Sequence, residues 1–125
     1  MRISELGIYI CKETAYTESV SIRKEDIYER RAVLHKLTPE ITCIDDAGDS
    51  VCYVVCGKDK AAVIDTVNGR ENLYDIVREI TDLPLIVVDT HGHGDHTGGN
   101  CFFKEAYMHP ADVAIDKEFV ARRKE

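Results

Sequence analysis

The sequence predicts an α/β fold of the mixed, α+β kind, built around one sheet that contains a βαβ crossover. Three observations predict it: two apolar runs joined by a four-residue polar turn, an amphipathic helix after them, and a wholly apolar four-residue run after that helix.

Taken in order, residues around Gly7 to Cys11 predict a first strand, and the charged stretch from Arg23 to Arg31 predicts a helix face turned to solvent. Ala32-Val33-Leu34, just before His35, is an apolar stretch compatible with helix or strand. Val51–Cys56 and Ala61–Thr66 flank Gly57-Lys58-Asp59-Lys60 and read as a hairpin. Asn68, with Glu71 three residues on, has the spacing of a capping box, and Leu73, Ile76, Val77 and Ile80 recur with the period of one helical face. Pro84 marks the end of that helix. Leu85-Ile86-Val87-Val88 shows no alternation, as in a strand buried on both faces, so the helix before it connects two parallel strands. Further on, Pro110 holds His109 extended and opens a helix as its first residue. Val113, Asp116, Phe119 and Val120 give that helix one weak stripe, and Arg122-Arg123-Lys124 form a solvated basic end. With no repeat, low-complexity tract or linker, residues 1–125 predict a single domain.

Function concentrates after the apolar strand, where His91-Gly92-His93-Gly94-Asp95-His96 carries four metal-binding side chains in six residues. Neutral imidazole and carboxylate are ordinary zinc ligands, and alternation in an extended segment sends His91, His93 and Asp95 to one side. Gly92 and Gly94 let the backbone curl and take up positive φ, so that Asp95 and His96 point apart toward a second ion. The pattern predicts a binuclear metal site at the carboxyl end of a strand, where open α/β sheets place their sites. The alternative is a mobile Gly/His surface loop that binds metal only adventitiously. Ligand density, glycine spacing and strand context weigh against it. His109, His35 and Cys101 are ligands by residue type, but their commoner roles are a strand-end histidine, a surface or satisfied histidine and a buried thiol.

The string Thr90-His91-Gly92-His93-Gly94-Asp95-His96-Thr97-Gly98-Gly99 resembles the H-x-H-x-D-H-x-G-G signature of the metallo-β-lactamase superfamily. Ala62-Val63-Ile64-Asp65-Thr66 looks like the superfamily's strand that ends in a site aspartate, and the likeness is strongest over residues 41–110. A histidine at position 96 is typical of glyoxalase II-like sites, and the iron-containing oxidoreductases of the superfamily usually carry Glu where this chain has His93.

The resemblance implies an αββα sandwich, of which this chain would be the N-terminal half: one sheet layer with flanking helices. It implies two zinc ions, His91 and His93 holding one and Asp95 and His96 the other, with Asp95 as the catalytic carboxylate and Asp65 behind the ligands. The activity implied is hydrolysis of a small acyl substrate, a thioester, lactone or relative, by a metal-bound hydroxide. The superfamily draws further ligands from downstream, and its domains generally need roughly two hundred residues. The expectation is therefore a truncated chain, inactive alone, whose uncovered half-core drives homo-oligomerisation. The contrasting expectation is a weakly metal-binding half-domain that associates with another chain.

Composition narrows the remaining classes. The 16 Lys and Arg against 23 Asp and Glu give a net charge of −7, which disfavours a nucleic-acid footprint. Five cysteines with no C-x-x-C pair fit reduced thiols of a cytoplasmic protein better than a disulfide framework. There is no apolar signal region and no run of membrane-spanning length.

Overall fold

The computed structural model describes residues 7–9 and 32–123. Four consecutive strands form an antiparallel meander: β2 (Ala32–Lys36), β3 (Ile41–Asp46), β4 (Val51–Cys56) and β5 (Ala61–Ile64). Helix α1 (Leu73–Ile80) carries the chain to β6 (Leu85–Val88), which pairs with β5 in parallel. The short α2 (Gly94–Thr97) and a 3-10 turn at Asn100–Phe102 lead to β7 (Ala106–Met108), parallel to β6, and then to α3 (Pro110–Arg123). β1 (Gly7–Tyr9) pairs antiparallel with β7, giving one mixed sheet in the order β1-β7-β6-β5-β4-β3-β2. The predicted hairpin and βαβ crossover are both present. The Arg23 to Arg31 stretch and Cys11 lie outside the described residues.

Local chemistry accounts for the turns. At the β3–β4 corner, Ala47 and Gly48 take φ of 52° and 83°, and the Gly48 amide donates to Asp45 Oδ1 at 2.8 Å. At the β4–β5 corner the Gly57 amide donates to the Lys60 carbonyl at 2.8 Å. Alternation then divides the sheet into two unlike faces. Ile44, Cys52, Val54, Val63 and Val87 turn to one face and meet Leu73, Ile76 and Val77 of α1 in the core. Each such buried side chain contributes roughly 1.5–3 kcal/mol over leaving it in water.

The other face has no covering layer among the described residues. Val33, Val51 and Tyr53 remain 50%, 37% and 37% exposed there. For the same reason β6 is not sealed on both sides: Val87, on the packed face, is buried, while Ile86 and Val88, on the open face, are half-buried.

Two boundaries differ from expectation. α1 is capped by Asn72, whose side chain accepts from the Asp75 amide at 3.3 Å, whereas Asn68 sits in the preceding turn and donates to Asp46 Oδ2 at 3.2 Å. Residues 65–70 are used in that turn, so the helix begins only at Leu73, its first buried position. β5 stops at Ile64, because Asp65 takes φ 66°. Among the described residues no helix is long and apolar enough to cross a membrane.

Candidate metal centre

The parallel strands β5 and β6 end side by side, and the chain stitches their following loops together. The Thr66 amide donates to the His96 carbonyl at 2.7 Å, the Gly98 amide to Val67 at 2.8 Å and the Gly99 amide to Thr66 at 3.0 Å. Such contact requires Gly98, since a β-carbon there would collide with the Asn68 backbone. Asp65 and Val67 hold left-handed φ of 66° and 52°. Each costs on the order of 1–3 kcal/mol, and the stitching maintains both.

The ligand loop is extended only as far as His93 (φ −71°, ψ 143°), after which α2 begins. The predicted alternation therefore stops one ligand early, and Asp95 and His96 sit on a helical turn. Positive φ is found at Gly48 and Gly69 among the described glycines, not at Gly92 or Gly94. What Gly92 supplies is clearance, because a β-carbon would strike the Asp112 carbonyl of α3.

Asp65 organises the loop. Its carboxylate accepts the Thr90 amide at 2.7 Å, the Thr90 hydroxyl at 2.9 and 3.0 Å, and His96 Nδ1 at 2.9 Å. A carboxylate oxygen can only accept, so His96 Nδ1 carries a proton, and in the neutral ring Nε2 is the nitrogen with the lone pair. The Thr90 proton is committed to Asp65, so His91 Nδ1, 2.9 Å from that hydroxyl, is the donor. In the neutral His91 ring the lone pair is then on Nε2 as well. The His91 ring lies 4.8 Å from the His93 ring and 4.1 Å from the His96 ring, and Asp95 Oδ2 is 3.5 Å from His96 Nε2.

The four predicted ligands are thus gathered at one place, with His91 and His96 half-buried and His93 and Asp95 exposed. As the side chains stand, no group of three or more His, Cys, Asp or Glu among the described residues is arranged to hold an ion. The set fits zinc in kind, offering two imidazoles tethered from behind through Nδ1 and a carboxylate beside one of them. His109 and His35 lie elsewhere. His109 Nδ1 accepts from the Ala111 amide at 3.1 Å at the start of α3, and His35 faces Asp45 at 4.0 Å. Cys101 Sγ lies 3.7 Å from the Gly98 carbonyl.

Sequence reasoning missed a buried polar chain beneath the loop. Asn100 donates to Asp89 Oδ2 at 2.7 Å and accepts from the Thr66 hydroxyl at 2.7 Å. Thr66 and Thr90 directly follow or precede predicted site residues, which was the available signal; Asn100 had none. Burial, opposed by the Asn100 hydrogen bond and reinforced by the charges of Asp65 and Asp116, pushes the Asp89 carboxyl up to about 7. Asp89 Oδ1 and Asp116 Oδ2 are buried without a hydrogen-bond partner among the described residues.

The mixed sheet thus presents three histidines and an aspartate just beyond the end of β6. The chain belongs to the metallo-beta-lactamase superfamily, whose family model matches residues 45–125. Among solved structures it is similar to TMB-1, studied for substrate and inhibitor binding, at 22% identity over 57% of this chain and 38% of that chain, with a TM-score of 0.44. It is also similar to the DIM-1 metallo-beta-lactamase exposed to ceftazidime, at 25% identity over 58% of this chain and 38% of that one, again with a TM-score of 0.44. No curated protein matches the chain.

Proposed function

We propose that the protein is a zinc-dependent hydrolase of small acyl substrates, thioesters, lactones or their relatives. The observation that carries this reading is the tethering of His91 and His96 through Nδ1, directly or by way of Thr90, to Asp65. Fixing the rear nitrogen of an imidazole sets its tautomer and aims the other nitrogen outward, as metal-ligating histidines require.

In this reading His91 and His93 hold one zinc ion, and Asp95 and His96 hold a second. When bound, the ions supply a Lewis acid and a water acidified to a pKa near 7. Asp95 accepts a hydrogen bond from the attacking water and orients it toward the acyl carbon. Asp65 keeps the two tethered rings in place. Neither ion finds a further histidine ligand among the described residues, since His35 and His109 are engaged elsewhere. Hydrolysis by the 125 residues alone is therefore expected to be slow. The thiols of Cys43, Cys52 and Cys56 support a cytoplasmic setting, and the acidic balance supports a small-molecule substrate rather than nucleic acid.

The open sheet face supports a second reading, in which the chain is a non-catalytic or weakly metal-binding half-domain that associates with another chain. Metal content decides between them. Elemental analysis after purification without added metal is expected to find zinc in the wild type and to lose it in a His91→Ala/His93→Ala variant. Metal-free wild type that takes up no zinc on titration would overturn the hydrolase reading. Robust thioester turnover by this chain alone would overturn the expectation of slow hydrolysis.

A further inference from the structure

We propose that α3 is a clamp on the ligand loop, in which Asp112 and Phe119 are positioning residues for Gly92 and His93. Three observations converge on it. First, Asp112 Oδ1 accepts the Gly92 amide at 3.1 Å, bonding the loop to the first turn of α3. Second, Gly92 has room for no side chain under that turn: a β-carbon would collide with the Asp112 carbonyl and stand 3.1 Å from the Asp116 amide. Third, the Phe119 ring meets the His93 ring edge-on, with centroids 5.7 Å apart at 70°.

Asp112, Asp116 and Phe119 are spaced i, i+4, i+7, so one stripe of α3 lies along the loop. Asp116, in the middle of that stripe, is 1% exposed. At its far end the Arg122 guanidinium lies 5.8 Å from the Phe119 centroid and backs the ring that His93 meets.

The clamp answers a question left by the Asp65 network. His91 and His96 are each held through a ring nitrogen, whereas among the described residues the His93 ring makes two edge-on contacts, with His91 and Phe119. Its backbone carbonyl is spent on the Thr97 amide at 3.1 Å, inside α2. Edge-to-face packing fixes ring orientation without engaging either nitrogen, so both stay available. The third imidazole of the loop is thus oriented by an aromatic side chain from a different element, some two turns of helix beyond the residue that anchors the backbone.

The consequence for metal affinity rests on reading His93 as a ligand, whereas the clamp itself is measurable without metal. In the metal-free 125-residue chain, Asp112→Ala is expected to speed hydrogen exchange at the Gly92 amide by about tenfold while leaving Val63 protected. Asp112→Asn, which keeps Oδ1 as an acceptor, should restore protection. Phe119→Leu should shift the His93 ring resonances by removing the aromatic neighbour, with the melting temperature held. Unchanged Gly92 exchange together with unmoved His93 resonances would overturn the clamp. Zinc affinity, read by competition with a chromophoric chelator, is expected to fall about tenfold in Phe119→Leu. Equal affinity in that variant and a zinc-binding wild type would overturn the positioning role. If the wild type binds zinc no better than His91→Ala/His93→Ala while the exchange and resonance effects are present, the metal reading fails and the clamp stands.

Discussion

Asp65 is the side chain on which the candidate site depends most. One carboxylate receives the Thr90 amide and hydroxyl and His96 Nδ1, so Asp65→Ala is expected to release both tethered rings and weaken zinc binding about 10–100-fold in chelator competition. Asp89 has the opposite electrostatic sign of effect. Its folded pKa of about 7 lies above the ordinary 3.8, so the folded state prefers the proton. Below pH 4 the group is neutral in both states and contributes nothing. Between about 4 and 7 the unfolded chain loses the proton first, and stability falls by on the order of 3–4 kcal/mol. Asp89→Asn, in the metal-free protein, should flatten that decline in a series of melting curves and raise the melting temperature at pH 8. At this scale the ligands and Asp65 were legible because their chemistry is carried by residue type and spacing. The roles of Asn100 and Asp89 are not, since a buried hydrogen bond between residues 11 or 34 positions apart leaves no local pattern.

Elements with a clear hydrophobic period were the most readable. The hairpin β4–β5 and the helix α1 follow from alternation and from the Leu73, Ile76, Val77 stripe. β3 was not anticipated, because Thr42, Cys43 and Asp46 are buried in it beside Ile44 and hide any apolar alternation. Asn68 and Asn72 both have an acid three residues on, so spacing alone does not choose the helix start; burial of Leu73 and the needs of the 65–70 turn decide for the second. Asn72→Ala is therefore expected to cost about 1 kcal/mol of stability, as loss of a helix cap does, measured by urea denaturation. Leu73→Ala, at a site 1% exposed, should cost about 2–5 kcal/mol in the same experiment. α2 could not be foreseen from an alternating reading of the motif, since a single helical turn has no room to show a period.

For the molecule as a whole, the sheet has one face packed by α1 and one face open among the described residues, with Val33, Val51 and Tyr53 exposed on it. The expectation of a half-core follows from this asymmetry. Sedimentation velocity is expected to find the chain self-associated, and Val51→Lys/Tyr53→Lys should shift it toward monomer; a wild type that sediments as a monomer at all concentrations would argue against pairing through this face. The stitched loops have a different consequence, for how the molecule breathes. Because the amides of Thr66, Gly98 and Gly99 all cross between the same two segments, none can open without the others. Native-state exchange should show these three amides sharing one opening free energy and one denaturant slope, a single cooperative unit that holds the ends of β5 and β6, and with them the histidines, folded or unfolded together.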